Sequence, residues 1–474
     1  MSRLESLVVE LPEDIRRLVE MGDFKGAVRR IERILKEDER LPKLLRERLE
    51  YEIERLERVR KDYPLTREEA FNKLKKEIPD LTPGDFERWM WEGYIDYRLI
   101  DGEERFFKNF IPNLFRFCKE AETRRVKKVD EVREKAKKLL HQHIDKLLEV
   151  GPKSSTPYLF PVRNRVEMKL TIKPDVIPSG EKVRVWLPIP RRDPLQPEAR
   201  IISASPKNYY IAPENHPQRT IYFEAVVEEG KPLVFKVEYE YTVMSFYLDV
   251  NPEKVKPYDE ESEIYQKYTS EQLPHIAFTP YLCRLTDEIV NGETNPYLKA
   301  WRIYKWITHN VKYASAYEYS TYGIISEYVA RNLKGDCGMQ ALLFITLCRI
   351  SGVPARWQSG WYMNPVKPGM HDWAQFYVEP YGWLYVDASF GGARRNIPKY
   401  NRFYFGNIDR YRLVCNIDIS SDFDPPKRYL RSDPVDNQRG EVEWRKGNLY
   451  YDKWAYELKI LSHEELTSRC RNLK

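Results

Sequence analysis

Cysteine and histidine are scarce in this chain: six cysteines and seven histidines in 474 residues. The cysteines (Cys118, Cys283, Cys337, Cys348, Cys415, Cys470) show neither close pairing nor a repeated spacing. That argues against a disulfide framework and for free thiols in a reducing, cytoplasmic setting. His141 and His143 stand two apart, so on a helix they point to different faces and no metal site is expected there. No run of eighteen apolar residues occurs, so no membrane span is expected. The opening Met1-Ser2-Arg3-Leu4-Glu5-Ser6-Leu7 lacks the charged-then-apolar pattern of a leader. The net charge of +6 is mild for this length and does not by itself imply nucleic acid.

What is present is a soluble, globular composition, 32% charged and 42% hydrophobic, long enough for about three domains. Residues 1–119 read as a helical region. Gly22-Asp23-Phe24-Lys25-Gly26-Ala27 is similar to one helix start of a tetratricopeptide repeat, but it occurs once, so no solenoid is expected. Within this region, residues 64–112 combine two capped helices (Thr66-Arg67-Glu68-Glu69 and Thr82-Pro83-Gly84-Asp85) with a hairpin turning at Asp101-Gly102. Helix, helix, hairpin resembles a winged-helix unit. Its second helix carries Arg88 as its one cation, a poor reader of DNA grooves, and nucleic acid is not an expected partner. Residues 120–157 read as one long basic helix and a linker, Gly151-Pro152-Lys153-Ser154-Ser155-Thr156-Pro157. From 158 to 252 the period changes to two, as in Val166-Glu167-Met168-Lys169-Leu170, which predicts a β-sandwich. Residues 253–415 read as an α+β core, and 416–474 as strands wrapped on that core. The expected fold class is therefore α+β and multidomain.

The chemistry concentrates around Gly335-Asp336-Cys337. Asp336 is placed to cap a helix running to Ile350 and stopped by Ser351-Gly352-Val353-Pro354. Cys337 then lies in the first turn, where free N–H groups and the helix dipole favour a thiolate. Cys348, eleven residues on and about 16 Å along the helix, should be plain core. A lone helical cysteine is usually a small buried hydrophobe, so a base is needed to make it a nucleophile. His371-Asp372-Trp373-Ala374-Gln375-Phe376 and Trp383-Leu384-Tyr385-Val386-Asp387 read as a hairpin with His371 and Asp387 on one face. A turn centred on Glu379 would set them directly opposite. One centred on Tyr381 would pair Asp387 with Gln375.

Gly335-x-Cys337-x-x-x-Ala341, Gly352-Val353-Pro354-Ala355-Arg356, His371-x-Trp373 and Trp383-x-x-x-Asp387 together resemble the transglutaminase-like superfamily over residues 285–392. Val185-Trp186-Leu187-Pro188-Ile189-Pro190 is similar to a β-domain segment that precedes this core in many bacterial and archaeal members. The resemblance implies a papain-like fold with a triad: Cys337 as nucleophile, His371 as base and acid, Asp387 orienting His371. Asp372 departs from the small or apolar residue usual there, and Gln375 from an acid. Asp372 next to His371 is expected to raise the histidine's pKa.

The implied reaction is thiol-dependent acyl transfer at an amide, with hydrolysis of a peptide or amide favoured over transamidation. A peptide or protein is the expected substrate, and no cofactor and no metal are implied. Tyr322 is a candidate oxyanion donor, with Trp361 and Trp373 as candidate cleft residues. The competing reading is an inactive family member serving as a binding or scaffold module.

Overall fold

A computed structural model describes residues 3–126 and 130–466. The fold is mixed helix and sheet with several separate sheets. Helices Glu13–Glu20, Phe24–Glu37 and Lys43–Asp62 are followed by Arg67–Lys75 and Pro83–Trp91. Thr66 with Glu69 and Thr82 with Asp85 form full capping boxes, which satisfy the first free N–H groups of the last two. The hairpin Tyr97–Ile100 with Glu103–Phe106 turns through Asp101 (φ 50°) and Gly102 (φ 86°), a pair of left-handed residues that suits strand twist. Ile15, Phe24, Leu49, Trp89, Phe106 and Leu114 share one buried cluster, so residues up to Ala121 have a core of their own.

This unit grips a loop of the distant core. Tyr51 Oη donates to the Ser320 carbonyl at 2.9 Å, and Arg55 Nη1 to that of Thr321 at 3.0 Å. Asn113 brackets Ser315, and the Tyr317 ring inserts between Tyr63 and Phe107, with its hydroxyl on Asp96.

The single helix expected from 120 is two helices, Lys119–Arg124 and Glu131–Val150. Arg125 leaves the helical region (ψ 146°), and Asp130 caps the second helix by accepting from Arg133 N. Part of the expected helix, residues 127–129, lies outside the described residues.

Two antiparallel sheets follow. One orders its strands 447–449, 441–444, 182–188, 220–226, 209–211; the other 454–465, 158–172, 233–246, 198–205. Their inner faces meet, with Phe223 of the first 5.6 Å from Phe235 of the second. Residues 441–465, expected to wrap on the α+β core, instead extend these two sheets: Val442 pairs with Val185, and Ile460 with Val166. Their alternating pattern was legible, but partner strands 257 and 294 residues away leave no local mark.

The α+β core sets helices Pro280–Val290, Pro296–Asn310, Ile325–Asn332 and Cys337–Ile350 beside a sheet ordered 405–406, 382–386, 369–378, 355–362, 412–417. Every residue from Cys337 to Arg349 is buried. Phe344 of that helix packs edge-on to Phe376, at 5.9 Å, which fixes Asp372, Ala374 and Phe376 as the helix-facing side of their strand.

Candidate active site

The helix that carries Cys337 begins as its sequence dictates. Asp336 Oδ1 accepts from Met339 N at 3.1 Å, and the Tyr319 hydroxyl donates to the same oxygen at 2.6 Å. Gly338 has no room for a side chain: a Cβ there would sit 2.3 Å from the Tyr319 hydroxyl and 2.6 Å from Asp372 Oδ2. Cys337 Sγ donates to Asp372 Oδ2 at 3.4 Å. Burial, then Asp372 and Asp336, push the thiol well above its ordinary pKa. The expectation that the helix start favours a thiolate is therefore overturned in this resting arrangement. Desolvation and two nearby carboxylates outweigh the helix dipole.

His371 and Asp387 meet. His371 Nε2 lies 2.7 Å from Asp387 Oδ2, and the ring packs on Phe390 with centroids 4.3 Å apart. The hairpin register is centred on Pro380, with Ala374 opposite Val386 and Val378 opposite Gly382. This falls between the two registers considered, so Asp387 reaches His371 diagonally, from just past its strand's end. There Asp387 caps the helix Ala388–Gly392: Oδ1 accepts from Phe390 N at 2.9 Å and from Ser389 Oγ at 3.0 Å. Oδ2 is left for His371 and for Arg412 Nη1, at 2.9 Å. Burial opposes the Asp387 charge, but His371 and Arg412 overcome it and hold the carboxyl below the usual range. His371 is lowered, burial outweighing the pull of Asp387.

Two residues missed in the sequence complete this network. Arg412 is fully buried and bridges Asp387 to Asp409, the latter at 2.6 Å. The available signal was an arginine placed in a strand that continues Leu413-Val414-Cys415.

Neighbouring strand residues point to opposite faces. Asp372 therefore leaves on the thiol's side and His371 on the other, where Trp373 Nε1 bonds Gln358 Oε1 at 2.6 Å. Asp372 is accordingly not the neighbour that raises His371. No hydrogen bond joins Cys337 to His371, although both are described.

Cys337 opens on a cavity of about 290 Å³. Tyr319, Asp336, Asp372, Asp433 and Asp436 share its wall, and His371 does not. The candidate cleft residues lie elsewhere. Tyr322 stacks on Tyr317 and accepts from its backbone N–H, away from the thiol. Trp361 Nε1 donates to the Gln438 carbonyl at 2.8 Å, and Trp373 is buried behind the strand. Of the aromatic loop, Tyr319 rather than Tyr322 lines the cavity. Gln438 Nε2 donates to Asp372 Oδ1 at 2.6 Å and to the His371 carbonyl at 3.1 Å, tying the 433–438 segment to the strand. Among the described residues, no group of three or more His, Cys, Asp or Glu is arranged to hold a metal ion. No helix among them is long and apolar enough to cross a membrane.

Residues 284–388 match the family model of the transglutaminase-like superfamily, so this part of the chain is a transglutaminase-like domain. A protein of uncharacterised function from Haemophilus influenzae is 24% identical over 247 residues, which is 45% of this chain and 66% of that protein. The match thus spans just under two thirds of that relative's length. Among solved structures, a candidate cysteine protease from Cytophaga hutchinsonii is similar at 17% identity and a TM-score of 0.43, covering 65% of this chain and 94% of that one. The periplasmic domain of TgpA from Pseudomonas aeruginosa is similar at 13% identity and a TM-score of 0.25, covering 51% and 91%.

Proposed function

We propose that this protein is a thiol-dependent acyl-transfer enzyme that hydrolyses amide bonds in a peptide or protein. The observation that carries the reading is a cysteine at a helix start, opening on a cavity, in the same domain as a buried and hydrogen-bonded His371–Asp387 pair. Turnover requires the thiol to leave Asp372 and meet the imidazole, which at rest lies on the other face of the strand. Asp387 occupies Nε2, so Nδ1 is the nitrogen left to take the thiol proton. Sulfur then bonds the carbonyl carbon, and the Cys337 backbone N–H supports the oxyanion, a donor worth roughly 3–4 kcal/mol in such sites. The C–N bond breaks as the imidazolium returns its proton to the leaving amine. Water attacks the thioester, releasing the acid and the thiol. The five described cysteines are all free, and a reducing, cytoplasmic setting belongs to the proposal.

One observation favours a second reading, a catalytically silent binding module: the resting thiol bonds a carboxyl group rather than the imidazole. The two readings part on a single experiment. A pulse of iodoacetamide at neutral pH, read by peptide mass spectrometry, should label Cys337 ahead of the enclosed Cys348 and Cys415 despite its raised pKa, and His371→Ala should slow that labelling. Equal, slow labelling of all thiols in the folded protein would favour the silent module.

A further inference from the structure

The wall around the thiol gathers more carboxyl groups than cations. Asp336, Asp372, Asp433 and Asp436 all border the cavity. Among the described residues none of the four forms an ion pair. Their partners are Tyr319 and Met339 N for Asp336, the thiol and Gln438 for Asp372, and Val435 N and Asp436 N for Asp433, while the Asp436 carboxyl meets Ser359 and the carboxyl of Asp372. Asp436 is 2% exposed, and its Oδ2 has no hydrogen-bond partner at all. Two cations reach the same wall, and both are engaged elsewhere. Lys108 Nζ pairs with Asp62 at 2.8 Å. Arg439 pairs with Glu318 and lies over the Tyr451 ring at 3.5 Å.

Buried carboxylates without a counter-charge are costly, and they either keep protons or take a cation from outside. Protons are retained into the neutral range: burial, reinforced by neighbouring carboxylates, pushes Asp433 up to about 7 and Asp336 up to about 6. A compact cation with several N–H donors would satisfy the orphan oxygen of Asp436 and the free capacity of Asp372 together. An ammonium group has that form. Asp372 lies one hydrogen bond, 3.4 Å, from Sγ. A cation held there sits next to the reacting carbonyl rather than several residues along the substrate.

We infer that the cavity beside Cys337 binds an ammonium group carried next to the scissile amide, with Asp372 and Asp436 as its ligands. This rests on the amide-hydrolase reading and narrows it to substrates bearing a primary amine at the cleavage point.

The test uses the full-length chain with Cys337→Ala, so that binding is read without turnover. Titration with n-butylammonium, followed by calorimetry or by chemical-shift changes, is compared with n-butanol, a neutral molecule of the same shape. The ammonium should bind and the alcohol should be weaker by about tenfold or more, the expected scale for losing charge-assisted hydrogen bonds. Adding Asp436→Asn should weaken the ammonium and leave the alcohol unchanged. Equal affinity for the two probes overturns the inference, and this comparison stands even if the Asp436 variant fails to fold. A thiol that forms acyl-enzyme without any preference for amines would sink the inference and leave the hydrolase standing. Ammonium binding in a chain whose thiol never acylates would do the reverse.

Discussion

Cys337 Sγ and Asp372 Oδ2 are 3.4 Å apart, on the strand face opposite to His371. A carboxyl group therefore meets the nucleophile at rest, and its influence on the thiol can be measured directly.

Asp372→Asn keeps the side chain's shape and its place beside Gln438 while removing its ability to ionise. Asp372 raises the thiol's pKa, so its loss should lower it. The alkylation rate of Cys337, followed from pH 6 to 10, should then take off earlier in the variant. One pKa unit is worth about tenfold in thiolate at a fixed pH below both values. Superimposable rate profiles would mean that Asp372 does not act on the thiol.

Cys337→Ala should abolish turnover while the melting temperature stays near the parent's. His371→Ala should be nearly as severe, since nucleophile and base work as one unit. The double variant should be no slower than the worse single one. A double slower by the product of the two losses would show independent action and remove the thiol–imidazole mechanism.

The acidic cavity should also be visible in stability against pH. Asp336 and Asp433 have folded pKa values near 6 and 7, above the ordinary 3.8. A group raised on folding contributes stability below its unfolded pKa and loses that contribution as pH rises through its folded value. The urea midpoint should therefore fall between about pH 4 and pH 8, and Asp433→Asn should flatten the slope near pH 7. A midpoint that is level across this window in the parent would mean that the carboxyl groups are not held protonated.

Arg412→Met tests the buried network behind His371. It leaves the carboxylates of Asp387 and Asp409 without their cation, and breaking such a pair costs about 3–5 kcal/mol. Urea unfolding at pH 7 reads this loss. An unchanged midpoint would show that His371 and the capped helix suffice to hold Asp387.

The helix of Cys337, its cap and its stop were legible because each is set by residues within a few positions: Asp336, Gly352, Pro354. The same holds for the His371 strand and for the turn at Asp101-Gly102. The Asp387 register was legible only to within one step, since a diagonal contact depends on how a strand ends. Asp433, Asp436 and Gln438 were read as an inert tail, because their meeting with the thiol depends on tertiary packing across some hundred residues. The faces of His371 and Asp372 follow from simple alternation, but which face meets the helix needed the Phe344–Phe376 contact.

The grip of residues 51–113 on the 315–321 loop has a consequence for biosynthesis. In a chain made from its amino end, every residue of the 15–121 cluster is synthesised before Tyr317. The loop that walls the thiol cavity then closes against a surface already in place, with the slot between Tyr63 and Phe107 waiting for the Tyr317 ring. The amino-terminal unit thus supplies one side of the cavity loop's setting, and a chain made without it would have to shape that wall unaided.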